Sequence, residues 1–449
     1  MNTPPELHGT PAQRLQCLLG LFVFVLIAYV LGNWRVWTGR QARTAFPWRA
    51  VFWGVVLQFA FAGVVLWTPK VLEVINDVVN ALLGFTRAGA EMVFGNLASV
   101  RGAPVTTPDG KTVIGLANTG AYFAFFILPT IIFFSMLTAI AYHSGIMQLV
   151  VQGLAWVMSK SMKTSGAETL SAAANIFVGQ TEAPLLVKPF LGAATNSELM
   201  CVMVAGFANI ASGVLGVYTE WLQPYVANAG GHLAAACFIS APASLLVSKL
   251  LVPETETPTT VAGVSFKVER VDANVIDAAT RGTAEGVALA INVGAMLIAF
   301  TALVALLNAF VGWLSVKTHV APPDAPLTLQ RAFGVAFAPL AWLAGVSWSD
   351  APRVGSLLGT KTVLNELLAY LDMKNQFAAD PNYVSPRSAL LATYALCGFA
   401  NFASIGIQVG GIGQMAPGRR HELSRLGLLA MVGGGLASLM AAAVIGVLV

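Results

Sequence analysis

The feature that most limits the fold of this chain is a series of long, predominantly apolar runs. Five of them are Leu15–Leu31, Val51–Trp67, Ala121–Ala141, Val287–Val311 and Leu426–Val449. A helix of about 20 apolar residues crosses the roughly 30 Å hydrocarbon layer of a bilayer. Only 10% of the residues are charged, against about 25% in an ordinary soluble domain. We therefore predict an all-α polytopic membrane protein embedded in the lipid bilayer.

Charge, cysteines and histidines argue against several other classes of protein. The net charge of +4 is small and dispersed, so nucleic acid is not expected as a partner. The four cysteines lie apart, without the CxxC spacing of metal or redox sites. The sequence has no GxSxG motif, and "RHELSR" lacks the second histidine of a zinc-protease helix. We therefore expect that the protein is not an enzyme.

Basic residues between the apolar runs predict their orientation. Segment 33–49 carries Arg35, Arg40, Arg43 and Arg49, and an arginine cluster at 419–425 precedes the last run. Loops rich in arginine and lysine face the cytoplasm. We therefore predict that residues 253–285 lie in the cytoplasm and that both termini lie outside it. The membrane expected for the protein is the inner (cytoplasmic) membrane. The first run follows a tail without a clustered basic region, so we expect it to be retained as a span.

Helical spacing also predicts a helix that does not cross the membrane. In "PKVLEVINDVVNALLGF", residues 69–85, apolar side chains recur every three or four positions among polar ones. A helix with one apolar and one polar face lies along a membrane surface or against a partner. We interpret this segment as an interfacial helix.

A short polar motif occurs twice in these apolar surroundings. "GFANIAS" at 206–212 returns as "GFANFAS" at 398–404. Each copy follows apolar sequence that is interrupted by polar residues. Before the first copy, "GQTE" interrupts segment 167–194. Before the second copy, the two apolar segments 329–348 and 353–371 form a similar pair, interrupted at Asn365–Glu366. Backbone freed by such a break is stable at membrane depth only where it is buried or lines a cavity. We interpret both segments as re-entrant helical hairpins, and the two halves as inverted repeats that meet at a midplane site.

The polar residues near these breaks have structural as well as functional interpretations. Glu182 and Glu366 cost about 2.5–3.5 kcal/mol each in the membrane, yet either carboxylate could be protonated or paired in a structural role. Asn209 and Asn401 could simply hold helices together. Phe399 could be core packing. The positions beside helix breaks and the repetition of the motif favour the functional interpretation.

Three motifs carry a specific resemblance. "SAAANIFVGQTEAPLLVKPF", "VLNELLAYL" and "CGFANFASIGIQVGGIG" occur in this order and resemble motifs of the concentrative nucleoside transporter family, and the similarity extends over nearly the whole chain. The resemblance implies a homotrimer of the bacterial sodium/nucleoside symporter type. It implies about eight transmembrane helices, two re-entrant hairpins, interfacial helices and an inverted repeat in the transport domain.

The implied activity is the import of nucleosides by alternating access, driven by a sodium gradient. A proton-coupled nucleoside symporter and an uncoupled nucleoside channel are the alternatives, and an intramembrane hydrolase lacks a nucleophile–base pair. The chain then divides into four parts: an N-terminal scaffold at 1–164, transport repeat 1 at 165–252, a cytoplasmic linker and scaffold span at 253–327, and transport repeat 2 at 328–449.

Position by position, the resemblance also implies a binding site. The nucleobase would be faced by Gln180, Thr181, Glu182 and Val214. The ribose would be held by Glu366, Asn401 and Ser404, with Phe399 lining the site. Sodium would lie among Asn175, Val178, Asn209 and Ile210, although the family usually has serine or threonine in place of Asn209. Physical chemistry agrees, because a nucleoside needs polar groups and an apolar wall, and the C-terminal end of a half-helix attracts a cation.

Overall fold

The computed structural model describes residues 7–37, 45–98, 103–107, 113–117, 123–260 and 272–449. Arg40 and Arg43 of the predicted first cytoplasmic loop lie outside the described residues, as do residues 261–271 of the predicted cytoplasmic linker.

The N-terminal part of the chain is helical apart from one small hairpin of strands. Its helices are α1 (Pro11–Trp37), α2 (Trp48–Trp67), α3 (Pro69–Phe94), α4 (Phe123–Phe126), α5 (Leu128–His143) and α6 (Ile146–Met162), with a 3₁₀ turn at Gly95–Ala98. Strands β1 (Ala103–Thr106) and β2 (Val113–Ala117) pair antiparallel, with Ala103 opposite Ala117 and a register shift after Val105.

The remaining helices form two series, one before and one after a very long helix in the chain. The first series is α7 (Gly166–Ala174), a 3₁₀ segment (Ala183–Val187), α8 (Lys188–Leu191), α9 (Asn196–Ala208), α10 (Ser212–Leu222) and α11 (Ala229–Leu251). The long helix is α12 (Val275–Lys317). The second series is α13 (Leu329–Leu343), α14 (Ala351–Val363), α15 (Glu366–Ala379), α16 (Pro386–Leu396), α17 (Phe402–Met415), a 3₁₀ turn (Pro417–Arg419) and α18 (Arg420–Leu448).

Six helical segments among the described residues are long and apolar enough to cross a membrane. They are Pro11–Asn33, Trp48–Trp67, Asn196–Leu222, Ala229–Leu251, Val275–Lys317 and Pro417–Leu448. The pair α5 and α6, bent by 77°, could add a seventh. The prediction of an all-α polytopic membrane protein is confirmed. The number of about eight spans requires the broken pair α16 and α17 as well, so it stays a prediction.

The predicted amphipathic segment forms helix α3, with a proline in its first turn. Leu72, Val79 and Leu83 are buried on one side of the helix, whereas Val74 and Val78 on the other side are more than half exposed. The buried side packs on α11, where a Cβ added at Gly231 would lie 2.7 Å from Leu72 Cδ1. The apolar spacing in the sequence is therefore satisfied by helix–helix packing.

Hairpin 1, defined here as residues 166–191, is less regular than two equal helical arms. Its first arm, α7, begins with a capping box between Ser165 and Glu168 and ends after only 9 residues. The returning arm is a 3₁₀ segment followed by a single helical turn. Pro184 and Pro189 stand in the first turns of these two short pieces. Proline is tolerated in a first turn, but Pro189 would lie in the interior of a helix begun at Ala183 and cannot donate to the carbonyl four residues earlier, so the returning arm is not one regular helix.

Hairpin 2 differs from the prediction. The break lies between α14 and α15, inside the second of the two predicted segments, so the arms of hairpin 2 are residues 351–363 and 366–379. Asn365 is the N-cap of α15, since its side chain accepts a hydrogen bond of 2.8 Å from Leu368 N. The first predicted segment forms α13, which turns at Gly345 (φ +103°) and packs closely on α14. The prediction that 329–348 is an arm of this hairpin was therefore wrong.

A buried ionic cluster joins the beginning of α7, the beginning of α9 and the end of α11. Lys249 Nζ lies 2.7 Å from Glu168 Oε2 and donates to Ser197 Oγ at 2.9 Å. Ser165 Oγ donates to Glu198 Oε1 at 2.6 Å, and Glu198 completes the capping box of α9. Buried charges are stable only when they are paired and hydrogen-bonded. The cluster therefore anchors the base of hairpin 1 to the two helices that follow it.

Candidate functional site

The two copies of the GFAN motif lie against each other at two helix breaks. α9 ends at Ala208 and α10 begins at Ser212, while residues 397–401 separate α16 from α17. Phe399 N donates to Asn209 O at 3.3 Å, which connects one copy to the other. Gly398 has φ +146°, and a Cβ there would lie 2.8 Å from Phe207 O. Glycine is therefore required for this close approach.

Four of the predicted substrate-site residues form one buried hydrogen-bonded cluster, named here the polar cluster: Gln180, Glu366, Asn401 and Ser404. Asn401 caps α17 by accepting from Ser404 N at 2.9 Å, and its Nδ2 donates to Glu366 Oε2 at 3.1 Å. Gln180 Nε2 donates to Ser404 Oγ at 3.3 Å. The fold thus brings together the break of hairpin 1, the start of the second arm of hairpin 2, and the start of α17.

Two further residues of the polar cluster's surroundings were missed by the sequence analysis. Tyr218 Oη donates to Glu366 Oε1 at 3.0 Å, and the Tyr218 ring stacks on Tyr370 with 4.4 Å between ring centroids. Gln408 Nε2 donates to Gln180 Oε1 at 3.1 Å. Each lies four residues after a predicted site residue on the same helix, Tyr218 after Val214 and Gln408 after Ser404. Since residues four apart share a helix face, this spacing could have revealed both.

The other predicted substrate-site residues are placed differently. Val214 is buried on α10, and Phe399 is half-buried. Thr181 is half-buried, and a Cβ added at Gly411 of α17 would lie 2.9 Å from Thr181 Cγ2. Glu182 is exposed on this chain, and its Oε1 accepts from Thr181 Oγ1 at 3.5 Å. Within the described residues, no side-chain hydrogen bond joins Glu182 to the polar cluster.

Two predicted cation ligands have the same local structure. Asn175 is the C-cap of α7 and Asn209 is the C-cap of α9, and both are 1% exposed. Each donates its amide nitrogen to the carbonyl four residues earlier, Asn175 to Ser171 O at 2.9 Å and Asn209 to Ala205 O at 3.3 Å. This bond turns each Oδ1 away from its own helix. Each asparagine therefore offers a neutral oxygen beyond the end of a half-helix.

The two amide oxygens differ in what they bind. Asn175 Oδ1 is buried and has no hydrogen-bond partner in the part of the chain that the structure describes. Asn209 Oδ1 accepts from Ser240 Oγ at 2.5 Å, a contact with α11 that the sequence did not indicate. Val178 and Ile210, the other two predicted ligands, are buried in the breaks after α7 and α9. Carbonyl groups at such helix ends carry the negative end of the helix dipole, so the residues present fit a cation.

Comparisons with known proteins give a consistent result. Residues 19–97 match a model described as the N-terminus of Na⁺-dependent nucleoside transporters, residues 124–225 a nucleoside recognition model, and residues 232–446 the corresponding transporter C-terminus. An uncharacterized transporter of Haemophilus influenzae is 38% identical over 97% of this chain and 98% of its own length. The mouse sodium/nucleoside cotransporter 1 is 36% identical over 97% of this chain, which spans 64% of the mouse protein.

A solved structure shares the fold over almost the whole chain. CNTnw, described in an inward-facing substrate-bound state, has a TM-score of 0.81 and 38% identity over 96% of this chain and 97% of its own. A variant of CNTnw in an outward-facing state has a TM-score of 0.85 over 98% of both chains.

Proposed function

The chain belongs to the family of sodium-dependent nucleoside transporters, and on this premise we propose that it imports nucleosides by alternating access, with sodium as the coupling ion. The observation that carries the proposal is the buried polar cluster, in which Gln180, Glu366 and Asn401 come from three separate elements around helix breaks. Unwound backbone at such breaks is where transporters of this kind bind substrates.

The proposed substrate contacts follow from the chemistry of each group. Glu366 and Asn401 hold the ribose, because a carboxylate accepts strong hydrogen bonds from hydroxyl groups. Ser404 completes this side, and Phe399 with Val214 provides the apolar wall. Gln180 and Thr181 face the nucleobase, and Glu182 joins them when the substrate is bound.

The proposed cation contacts are the Asn175 and Asn209 side-chain oxygens and the backbone of Val178 and Ile210. The unpartnered oxygen of Asn175 supports this assignment, since a buried polar atom without a partner costs about 1–3 kcal/mol. A bound cation removes that cost. These ligands are amide and peptide oxygens, which coordinate a metal cation but are too weakly basic to take up a proton near neutral pH. The ligand set therefore favours sodium over a proton as the coupling ion.

We also propose that the protein acts as a homotrimer with a scaffold (1–164 and 253–327) and a transport domain formed by repeats 165–252 and 328–449. Helix α12 is the observation that supports this arrangement. Only 11% of its most apolar stretch is buried within the chain, so most of that stretch is available for contact with lipid or with other subunits. Exposed apolar side chains on this helix include Ile291, Ile298 and Leu306. Contiguous apolar surface of this kind is typical of membrane or subunit contacts.

Uptake of labelled uridine into proteoliposomes tests the proposed function. We expect accumulation above the external concentration when an inward sodium gradient is present, and none when sodium is equal on both sides. Uptake that only equilibrates would indicate an uncoupled channel. Uphill uptake driven by a proton gradient without sodium would indicate the proton-coupled alternative.

The proposed orientation in an inner membrane, with both termini outside, is tested by cysteine labelling. The four native cysteines are all buried, so they give little background. Thr257 and Ala227 are exposed, and the proposal places Thr257 in the cytoplasm and Ala227 outside. We expect an impermeant maleimide added to intact cells to label Ala227→Cys but not Thr257→Cys. The reverse pattern would contradict the proposed topology.

A further inference from the structure

We propose that Gln408 is a positioning residue for substrate recognition: it fixes the orientation of the Gln180 side-chain amide, and through it the selectivity for the nucleobase. This inference rests on the proposed function, since it concerns the base side of the same site. Gln408 lies on α17 and is fully buried, and Gln180 lies at the break of hairpin 1.

The orientation of the Gln408 amide follows from its two acceptors. Its Nε2 donates to Met203 O at 3.2 Å and to Gln180 Oε1 at 3.1 Å. A backbone carbonyl can only accept a hydrogen bond, so the nitrogen of Gln408 must face Met203. Both hydrogens of that nitrogen are then used. The neighbouring end of the Gln180 amide must therefore be its oxygen.

The same chain of bonds determines the other end of Gln180. With Oε1 held by Gln408, Nε2 is directed to Ser404, where it donates to Oγ at 3.3 Å. One hydrogen of Nε2 and one lone pair of Oε1 remain for a ligand. A carboxamide that could rotate by 180° would accept either order of donor and acceptor on a base. The Gln180 amide held by Gln408 matches only one arrangement of donor and acceptor. Its free N–H must meet a hydrogen-bond acceptor on the base, such as a carbonyl oxygen or ring nitrogen.

The first GFAN motif provides the space for this contact. Gly206 lies beneath the pair, and a Cβ added there would lie 2.7 Å from Gln408 Nε2 and 3.0 Å from Gln180 Cβ. Any larger residue at 206 would displace one of the two glutamines. Gln408 Oε1 is buried and lacks a hydrogen-bond partner among the described residues. Buried polar side-chain atoms nearly always have a hydrogen-bond partner, so an unpaired one calls for an explanation. Here the explanation is the pair of hydrogen bonds that Nε2 of the same side chain donates.

The test is a double-mutant cycle on the reconstituted transporter. Gln408→Met retains the length of the side chain and removes the amide, and Gln180→Ala removes the group that the amide positions. The probes are uridine and 1-β-D-ribofuranosylbenzene, which has the ribose but no polar atom on its ring. We measure the KM and kcat for uridine, the inhibition constant of the benzene analogue, and the sodium concentration for half-activation.

We expect Gln408→Met to raise the KM for uridine about tenfold, as the loss of one orienting hydrogen bond implies. The preference for uridine over the benzene analogue should fall by the same factor, while kcat and sodium activation change less than about twofold. Once Gln180 is alanine, the further change Gln408→Met should have no effect. Residues that act through one another are non-additive in this way.

Two controls separate positioning from general damage. Gln58→Met removes another buried glutamine, on α2, whose Nε2 donates to Gly54 O at 3.0 Å and whose Oε1 is also unpartnered. This variant should leave the KM for uridine unchanged. If Gln408→Met does not fold, Gln408→Glu retains the shape but cannot donate two hydrogens, and it should also raise the KM for uridine.

Three outcomes would overturn the inference: an unchanged KM in both Gln408 variants, an equal loss for uridine and the benzene analogue, or additive effects with Gln180→Ala. Failure of the proposed function is distinguished by the unmodified protein, which would then not transport uridine.

Discussion

Glu366→Ala should lower kcat/KM for uridine at least about 100-fold. The carboxylate of Glu366 is 5% exposed and accepts from Tyr218 Oη and Asn401 Nδ2. Alanine leaves these two donors unpaired and removes the acceptor for the ribose hydroxyls. Hydrogen bonds to charged groups contribute about 1.5–3 kcal/mol each. Two such bonds correspond to about 3–6 kcal/mol, or roughly two to four powers of ten in affinity.

Competition assays show whether this loss concerns the sugar. In the unmodified protein, free uracil should inhibit uridine uptake at least tens-fold more weakly than uridine, because a site built for hydroxyl groups rejects analogues that lack them. The difference should shrink in Glu366→Ala. Asp372→Asn is the control. Asp372 is another acidic residue of the same helix, but it accepts from Gln376 Nε2 at 3.2 Å and not from the polar cluster, so this change should leave the difference between uracil and uridine as it is. Equal inhibition by uracil and uridine in the unmodified protein would remove the ribose role of Glu366.

Asn175→Ala should raise the sodium concentration for half-activation by about 10–100-fold or more. Asn175 Oδ1 is buried at the C-terminal end of α7, and the amide nitrogen is held by Ser171 O. The oxygen is therefore fixed before the ion arrives. Changes to groups that merely orient a metal ligand typically cost 10–100-fold in metal affinity, and the loss of a ligand should cost at least as much.

A binding measurement complements uptake for this variant. Sodium should raise the Tm of the unmodified protein in detergent, because a ligand of the native state stabilises it, and this shift should be lost in Asn175→Ala. Asn76→Ala is the control, since Asn76 on α3 is also buried with an unpartnered Oδ1. An unchanged sodium response in both uptake and Tm would exclude Asn175 from the cation site.

Hairpin 1 and hairpin 2 show where sequence reasoning succeeds and where it fails. The polar interruptions at "GQTE" and Asn365 predicted both breaks, because each interrupts an apolar run at membrane depth. The lengths of the arms were not predictable in the same way. Pro189 interrupts one arm, and the cap at Asn365 moves the other hairpin along the chain. These are local backbone effects that apolar periodicity does not report.

The sequence by itself determined the membrane class, the helical fold, the amphipathic helix at residues 69–85 and the polar residues that lie near the breaks. It could do so because a bilayer imposes length, apolarity and internal hydrogen bonding on every span. The resemblance of three motifs added the family.

Only the tertiary structure decided which of these residues meet. It joined Gln180, Glu366, Asn401 and Ser404, left Glu182 exposed, and added Tyr218, Ser240 and Gln408 as partners of predicted site residues. These contacts join residues up to 228 positions apart in the chain. The physical reason is that helix spacing defines the face on which a side chain lies, whereas the partner opposite that face depends on how distant helices pack.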